Sequence, residues 1–129
     1  MRVRDAMSTE ILTVGPNHTL REAARRMAAR RVGAAVVHDP DGTGVGILTE
    51  RDVLIAVGGG LDPDQERVGE HLTADLVFAT PEWTLEQAAE AMNRGGFRHL
   101  VVLEGPEVAG IVSVRDVVRV WSAAALAGS

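Results

Sequence analysis

The chain has 129 residues, enough for one domain with a buried core, and its 24% charged residues are ordinary for a folded globular protein. All 13 basic residues are Arg, set against 18 acids for a net charge of −5; residues 1–65 are near neutral (8 Arg, 9 acids) and residues 66–129 are acidic (5 Arg, 9 acids). A nucleic-acid binder would show a basic excess and stacking aromatics, whereas this chain has two Trp, two Phe and no Tyr.

The absence of Cys removes disulfides, thiolate nucleophiles and Cys-based zinc sites. His18, His38, His71 and His99 show no local ligand spacing, so no metal is expected. The opening MRVRDAMSTEILTV carries no apolar run suited to a signal peptide, and no stretch approaches membrane-spanning length. The expected location is cytoplasmic, with neither membrane nor nucleic acid as a partner.

The chain repeats itself. Residues 3–39 laid over 68–104 match at Val3/Val68, Pro16/Pro81, Thr19/Thr84, Leu20/Leu85, Ala23/Ala88, Ala24/Ala89, Met27/Met92, Val36/Val101 and Val37/Val102. Dropping one residue after Asp39 then aligns GILTERDV (46–53) with GIVSVRDV (110–117). In each copy a short strand (about 10–14; 75–79) runs into Pro16 or Pro81, which halts a ladder. A helix follows from Thr19 or Thr84, where Thr19/Glu22 and Thr84/Gln87 have capping-box spacing. Leu20, Ala23, Ala24, Met27 and Ala28 form its apolar stripe, repeated by Leu85, Ala88, Ala89 and Met92. Two β-rich runs come next, AAVVH then GVGILT and HLVVLE then VAGIVS, joined by turns bearing Pro, Asp and Gly, and a last helix starts at Thr49 or Ser113.

Gly58-Gly59-Gly60-Leu61-Asp62-Pro63-Asp64 is a flexible linker by composition. The terminal SAAALAGS either extends the last helix or frays. One unit has too few strands to bury both faces of its sheet. The expected fold is therefore α/β (an α+β sandwich) of two β-α-β-β-α repeats packed by pseudo-twofold symmetry. Its divisions are repeat 1 over 1–57, linker 58–67, repeat 2 over 68–122 and a tail over 123–129.

Thr49-x-x-Asp52 and Ser113-x-x-Asp116 sit at the strand-to-helix joints. A hydroxyl N-cap with an acid three residues on is a helix cap in its own right. The same geometry presents N–H groups and a positive dipole end to phosphate, and a carboxylate can accept both hydroxyls of a ribose diol. The two readings are compatible.

Two copies of strand–Pro–Thr-Leu-x-x-Ala-x-x-Met helix, apolar strand and Gly-Ile-[Leu/Val]-[Thr/Ser]-x-x-Asp-Val resemble a tandem pair of cystathionine-β-synthase (CBS) domains, a Bateman module, over roughly residues 3–57 and 68–121. The resemblance implies a regulatory module that binds adenosine-containing ligands in two related clefts between the copies, the Asp holding the ribose hydroxyls and the Thr or Ser lying beside ribose and phosphate. Carried onto this chain, site A comprises Thr49, Asp52, Leu76, Phe97, Arg98 and His99. Site B comprises Ser113, Asp116, Ile11, Val32, Gly33 and Ala34. Arg98 and His99 give site A a phosphate handle that Gly33 and Ala34 deny to site B, although exposed polar residues opening a strand also account for them. Arg51 and Arg115 recur in both copies and are read as surface residues or partners of nearby carboxylates.

Arg21, Arg25, Arg26, Arg30 and Arg31 crowd the first helix and read as a solvated face, since copy two has Glu86 and Glu90 there instead. The Gly58–Gly60 run follows a helix and is not a phosphate loop. No Ser/His/Asp set or carboxylate pair assembles, so the chain reads as a non-enzyme that requires no cofactor. Val117, Val118, Val120 and Trp121, with Val53, Leu54, Ile55 and Val57, exceed what a small monomer needs on its surface. That excess fits the family's habit of forming a disc-like homodimer. Three functions compete: a stand-alone sensor of AMP, ADP or ATP acting through an unidentified effector protein, a ligand-free homo-oligomeric interaction scaffold, and an S-adenosylmethionine-binding module.

Overall fold

A computed structural model describes residues 1–38, 44–74 and 76–128. The turn after His38 in copy one, Asp75 of the expected 75–79 strand, and Ser129 lie outside the described residues. In chain order the elements are α1 (Val3–Ala6), β1 (Thr13–Val14), α2 (Leu20–Arg30), β2 (Ala34–His38), β3 (Val45–Thr49), α3 (Glu50–Gly58), a 3₁₀ turn (Val68–Glu70), β4 (Phe78–Ala79), α4 (Leu85–Gly95), β5 (His99–Glu104), β6 (Glu107–Ser113) and α5 (Val114–Gly128). The β-α-β-β-α order appears twice, and the tail continues α5. Both opening strands are shorter than expected, two residues each.

The chain forms two compact units, one of residues 11–76 and one joining 1–10 to 77–129. Each holds a three-stranded sheet in which the first two strands pair parallel and the last two antiparallel. The register repeats with the sequence. Val14 pairs with Val37 and Ala34 with Thr49, as Ala79 pairs with Val102 and His99 with Ser113. A bulge between Val102 and Leu103 shifts the β5–β6 pairing.

In the first unit Leu20, Ala23 and Met27 of α2 bury against Val14, Ala35, Val37 and Leu48 of the sheet, with Ala56 of α3. Leu85, Ala88, Met92, Ala79, Leu100, Val102 and Val112 do the same in the second, closed by Val117. Of the expected stripe, Ala24 is half-buried and Ala28 exposed, which leaves a face three residues wide. Thr84 and Gln87 close a reciprocal capping box. Thr19 accepts from the Glu22 amide at 3.1 Å, but the Glu22 carboxylate takes the Thr19 hydroxyl rather than its N–H. Both helices end in the left-handed region, at Arg31 (φ 56°) and Gly96 (φ 71°), where Val32 N–H and Phe97 N–H return to the carbonyls of Met27 and Met92.

Each unit is completed by a leader segment, and the leaders match bond for bond. Val3 N–H donates to Trp83 O and Arg4 N–H to Pro81 O, as Val68 N–H donates to His18 O and Gly69 N–H to Pro16 O. Val3 and Val68, the first identity of the repeat, are both fully buried. Val3 thus packs with the sheet of copy two and Val68 with that of copy one. Each leader then pairs with the last strand of its sheet, Ser8 with Ile111 and Thr73 with Ile47.

The stretch after Gly60 is anchored within the first unit despite its linker composition. Gly60 turns the chain at φ 88°, Arg21 N–H donates to Pro63 O, Leu20 N–H donates to Glu66 O, and the Arg21 guanidinium pairs with Asp64. The Asp64 carboxylate, by hydrogen bond first and charge second, holds Arg21 above its ordinary pKa.

Candidate functional site

The two strand-to-helix joints carry the same construction. At Thr49, Asp52 Oδ2 accepts from the Thr49 backbone N–H at 2.8 Å and from its hydroxyl at 3.0 Å, while Asp52 N–H donates to Thr49 Oγ1 at 3.3 Å. At Ser113, Asp116 Oδ2 accepts from the backbone N–H and the hydroxyl at 2.9 Å each, and Asp116 N–H donates back at 3.1 Å. The structural reading of these motifs is therefore realised: both are closed capping boxes.

Capping leaves less of the helix N-terminus available than the sequence suggests. The first helical N–H is taken by the neighbouring strand, Glu50 by Gly33 O at 2.9 Å and Val114 by Arg98 O at 3.0 Å. The third is taken by the cap hydroxyl. What remains is chiefly the carboxylate. All the cap bonds fall on Oδ2, and an ionised carboxylate oxygen on the other side has its own two lone-pair sites. Both aspartates are half-buried, which keeps such an acceptor near the surface and partly shielded from water.

The two joints differ at Oδ1. Arg119, one helical turn beyond Asp116, donates from Nη2 to Asp116 Oδ1 at 3.4 Å and to the carbonyl of Ala6 in α1 at 3.2 Å. The matching position in α3 is Ile55, which has no donor. The Asp-x-x-Arg spacing is visible in the sequence as an i,i+3 pair. Its second bond, to a leader 113 residues away in sequence, is not.

Ala34 opens β2, with Gly33 just before it, beside Thr49 and Glu50, and His99 opens β5, with Arg98 just before it, beside Ser113 and Val114. Within a unit, the structure thus brings Thr49 and Asp52 together with Gly33 and Ala34, and Ser113 and Asp116 together with Arg98 and His99. Val32 is half-buried against the first unit's core and Phe97 against the second's. Ile11 and Leu76, both half-buried, stand at the two ends of the first unit. Expected site A therefore takes Thr49, Asp52 and Leu76 from one unit and Phe97, Arg98 and His99 from the other; site B is divided likewise. Arg51, Arg98 and Arg115 are exposed. Among the described residues no three His, Asp or Glu side chains are grouped to hold a metal ion, and no helix is long and apolar enough to cross a membrane.

The profile of the CBS domain matches residues 3–59 and 68–123. The CBS domain-containing protein YhcV of Bacillus subtilis is 34% identical over 114 residues, covering 88% of this chain and 81% of that protein. The chain spans only 20% of a 36% identical CBS domain-containing protein of Arabidopsis thaliana. Among solved structures, a CBS-domain containing protein from Agrobacterium tumefaciens superposes with a TM-score of 0.86 at 39% identity, over 94% of this chain and 99% of that one. A CBS domain protein from Pyrobaculum aerophilum, complexed with AMP, superposes with a TM-score of 0.80 at 29% identity, over 90% and 89%. With two profile matches laid along a duplicated β-α-β-β-α fold, the chain belongs to the CBS domain family as a tandem pair of CBS domains.

Proposed function

We propose that this chain is a regulatory module that binds an adenosine-containing ligand, with Asp52 and Asp116 as acceptors for the ribose hydroxyls. The observation that carries this reading is the duplicated cap, in which Oδ2 alone serves the helix and Oδ1 is left to other donors. A vicinal diol supplies two such donors. The AMP complex of the Pyrobaculum relative, built on the same fold, supports the choice of ligand class.

AMP, ADP or ATP is preferred over S-adenosylmethionine at the set containing Thr49 and Asp52. The family resemblance gives that set Leu76, Phe97, His99 and the cationic Arg98, and gives the set of Ser113 and Asp116 Ile11, Val32, Gly33 and Ala34. The module is proposed to act in the cytoplasm as a homodimer, signalling through an effector protein and catalysing nothing itself. Exposed Leu54, Ile55 and Val57 on α3, with Val118 and Trp121 on α5, support self-association.

Calorimetric titration with AMP, ATP and S-adenosylmethionine tests the ligand class. Asp52→Ala is expected to remove the tighter nucleotide event and Asp116→Ala the weaker one. The reverse order would overturn the assignment of sites. A flat titration with all three at millimolar concentration would replace the sensor with an interaction scaffold.

A further inference from the structure

We infer that Arg119 ties the occupation of Asp116 to the docking of the N-terminal leader, so that a ligand's diol at this carboxylate loosens residues 1–10. The inference rests on the reading of Asp116 as a ribose acceptor. Asp116 Oδ2 is filled by the N–H and hydroxyl of Ser113, and Oδ1 carries Arg119. A carboxylate oxygen accepts about two hydrogen bonds, so Oδ1 has one place left where a diol needs two. Binding both hydroxyls therefore displaces Arg119. The nitrogen displaced is the same Nη2 that holds the Ala6 carbonyl at the C-terminal end of α1.

That contact sits at the base of the leader. α1 spans only four residues, too short to hold itself. Its place depends on buried Val3 and Ala6, on the bonds of Val3 and Arg4 to Trp83 and Pro81 and of Leu85 N–H to Met1 O, on the contacts of the Arg2 and Arg4 side chains with Glu82, on the Ser8 bridge to Ile111, and on the Arg119 clasp. At the matching place in α3 stands Ile55, which has no donor to clasp a leader. Asp52 can accept a diol without disturbing the 67–73 leader in this way. The two carboxylates are thus built alike for capping and differently for response, Asp52 as a plain acceptor and Asp116 as a coupled one. By linkage, whatever undocks the leader must strengthen ligand binding at Asp116 by the same factor.

The test is hydrogen exchange of the full chain, read by mass spectrometry over residues 1–10, with AMP and S-adenosylmethionine as probes. Asp52→Asn silences the other carboxylate, and calorimetry reports binding on the same samples. Ligand is expected to speed exchange in this segment about two- to fivefold, the range for a partly exposed ionic contact. Arg119→Met, which keeps the bulk and removes the guanidinium, is expected to reach that faster rate without ligand. It should bind ligand tighter by the same factor, with no further change in exchange. Binding that leaves exchange over residues 1–10 unaltered in the Arg119-containing protein overturns the coupling while the ligand reading stands. The coupling is equally overturned if Arg119→Met changes neither exchange nor affinity. Absence of binding to the wild-type chain by calorimetry removes the ribose reading itself, and the coupling with it.

Discussion

Gly110 and Ser8 approach so closely that a Cβ at position 110 would stand 2.6 Å from the Ser8 carbonyl oxygen. The leader strand lies directly against β6, held by Ser8 N–H to Ile111 O at 2.8 Å and Ile111 N–H to Ser8 O at 3.0 Å. Gly46 meets the other leader in the same way, but its nearest obstacle is the flexible end of Leu72 at 2.7 Å, with Thr73 O at 3.2 Å. The glycine that opens Gly-Ile in both copies is there to admit a crossing backbone.

Gly110→Ala should therefore cost about 1–3 kcal/mol, because backbone must yield, and Gly46→Ala distinctly less, because a leucine tip can turn. Chemical denaturation of the two variants checks the order. Hydrogen exchange at Ser8 should rise in the first and stay near wild type in the second.

Arg31 occupies the left-handed position that Gly96 fills in the second copy. A side chain there costs about 1–2 kcal/mol in backbone strain, while glycine gives back about 0.4–1 kcal/mol through a freer unfolded chain. Arg31→Gly should stabilise the protein by the difference, ~0.5–1 kcal/mol, and Gly96→Ala, the reverse exchange at the matching position, should destabilise it by a similar ~0.5–1 kcal/mol. Thermal melts of both variants decide this. A destabilising Arg31→Gly would mean that the Arg31 side chain makes a contribution its exposed position does not reveal.

Much of this architecture is readable in the sequence because the repeat is written at positions that pack. Leu20/Leu85, Ala23/Ala88 and Met27/Met92 recur because the same sheet face must be covered twice, and the 65- and 64-residue offsets return as strand register. The exchange of leaders is not readable. An offset pairs Val3 with Val68 but says nothing about which sheet either one covers, since both choices bury the same valine. At Gly58–Gly60 composition suggests a tether and does not show that the stretch beyond it offers Pro63 O and Glu66 O to the otherwise free N–H groups at the start of α2. At the candidate site, Asp52 and Asp116 stand out as acids spaced from hydroxyls. Arg119 does not, because one of its two partners lies at the far end of the chain.

The caps separate stability from binding. Thr84→Ala removes the hydroxyl that caps α4 and should cost about 1 kcal/mol with nucleotide affinity unchanged. Thr49→Ala loses a similar cap at α3 but should also weaken nucleotide binding, since the hydroxyl lies beside the Asp52 carboxylate. Asp52→Asn keeps the shape and loses the charge; losing a charged hydrogen bond of about 1.5–3 kcal/mol corresponds to a drop in affinity of roughly 10–100-fold. Parallel denaturation and calorimetry on the three variants check the pattern. Equal losses of affinity in Thr84→Ala and Thr49→Ala would show that the ligand responds only to overall stability.

The exposed apolar residues recur at matched positions, which a random surface would not produce. Leu54 and Val118 correspond, as do Val57 and Trp121, and their exposures are 71%, 52%, 48% and 38%. On α3 the core takes Ala56 and Val53, and on α5 it takes Val117 and Val120, so the outward residues form a second apolar face on each helix. Such faces on a small protein mark contact with another molecule, and a second copy presents the same two faces in return. The doubly substituted Leu54→Glu, Val118→Glu chain should sediment as a monomer where the parent sediments as a dimer. Because both side chains point to solvent within the chain, denaturation of the monomeric state should move by no more than about 0.5 kcal/mol. A parent that remains monomeric at all concentrations would end the dimer reading. A large loss of stability in the variant would instead place these residues in a core that their exposure denies.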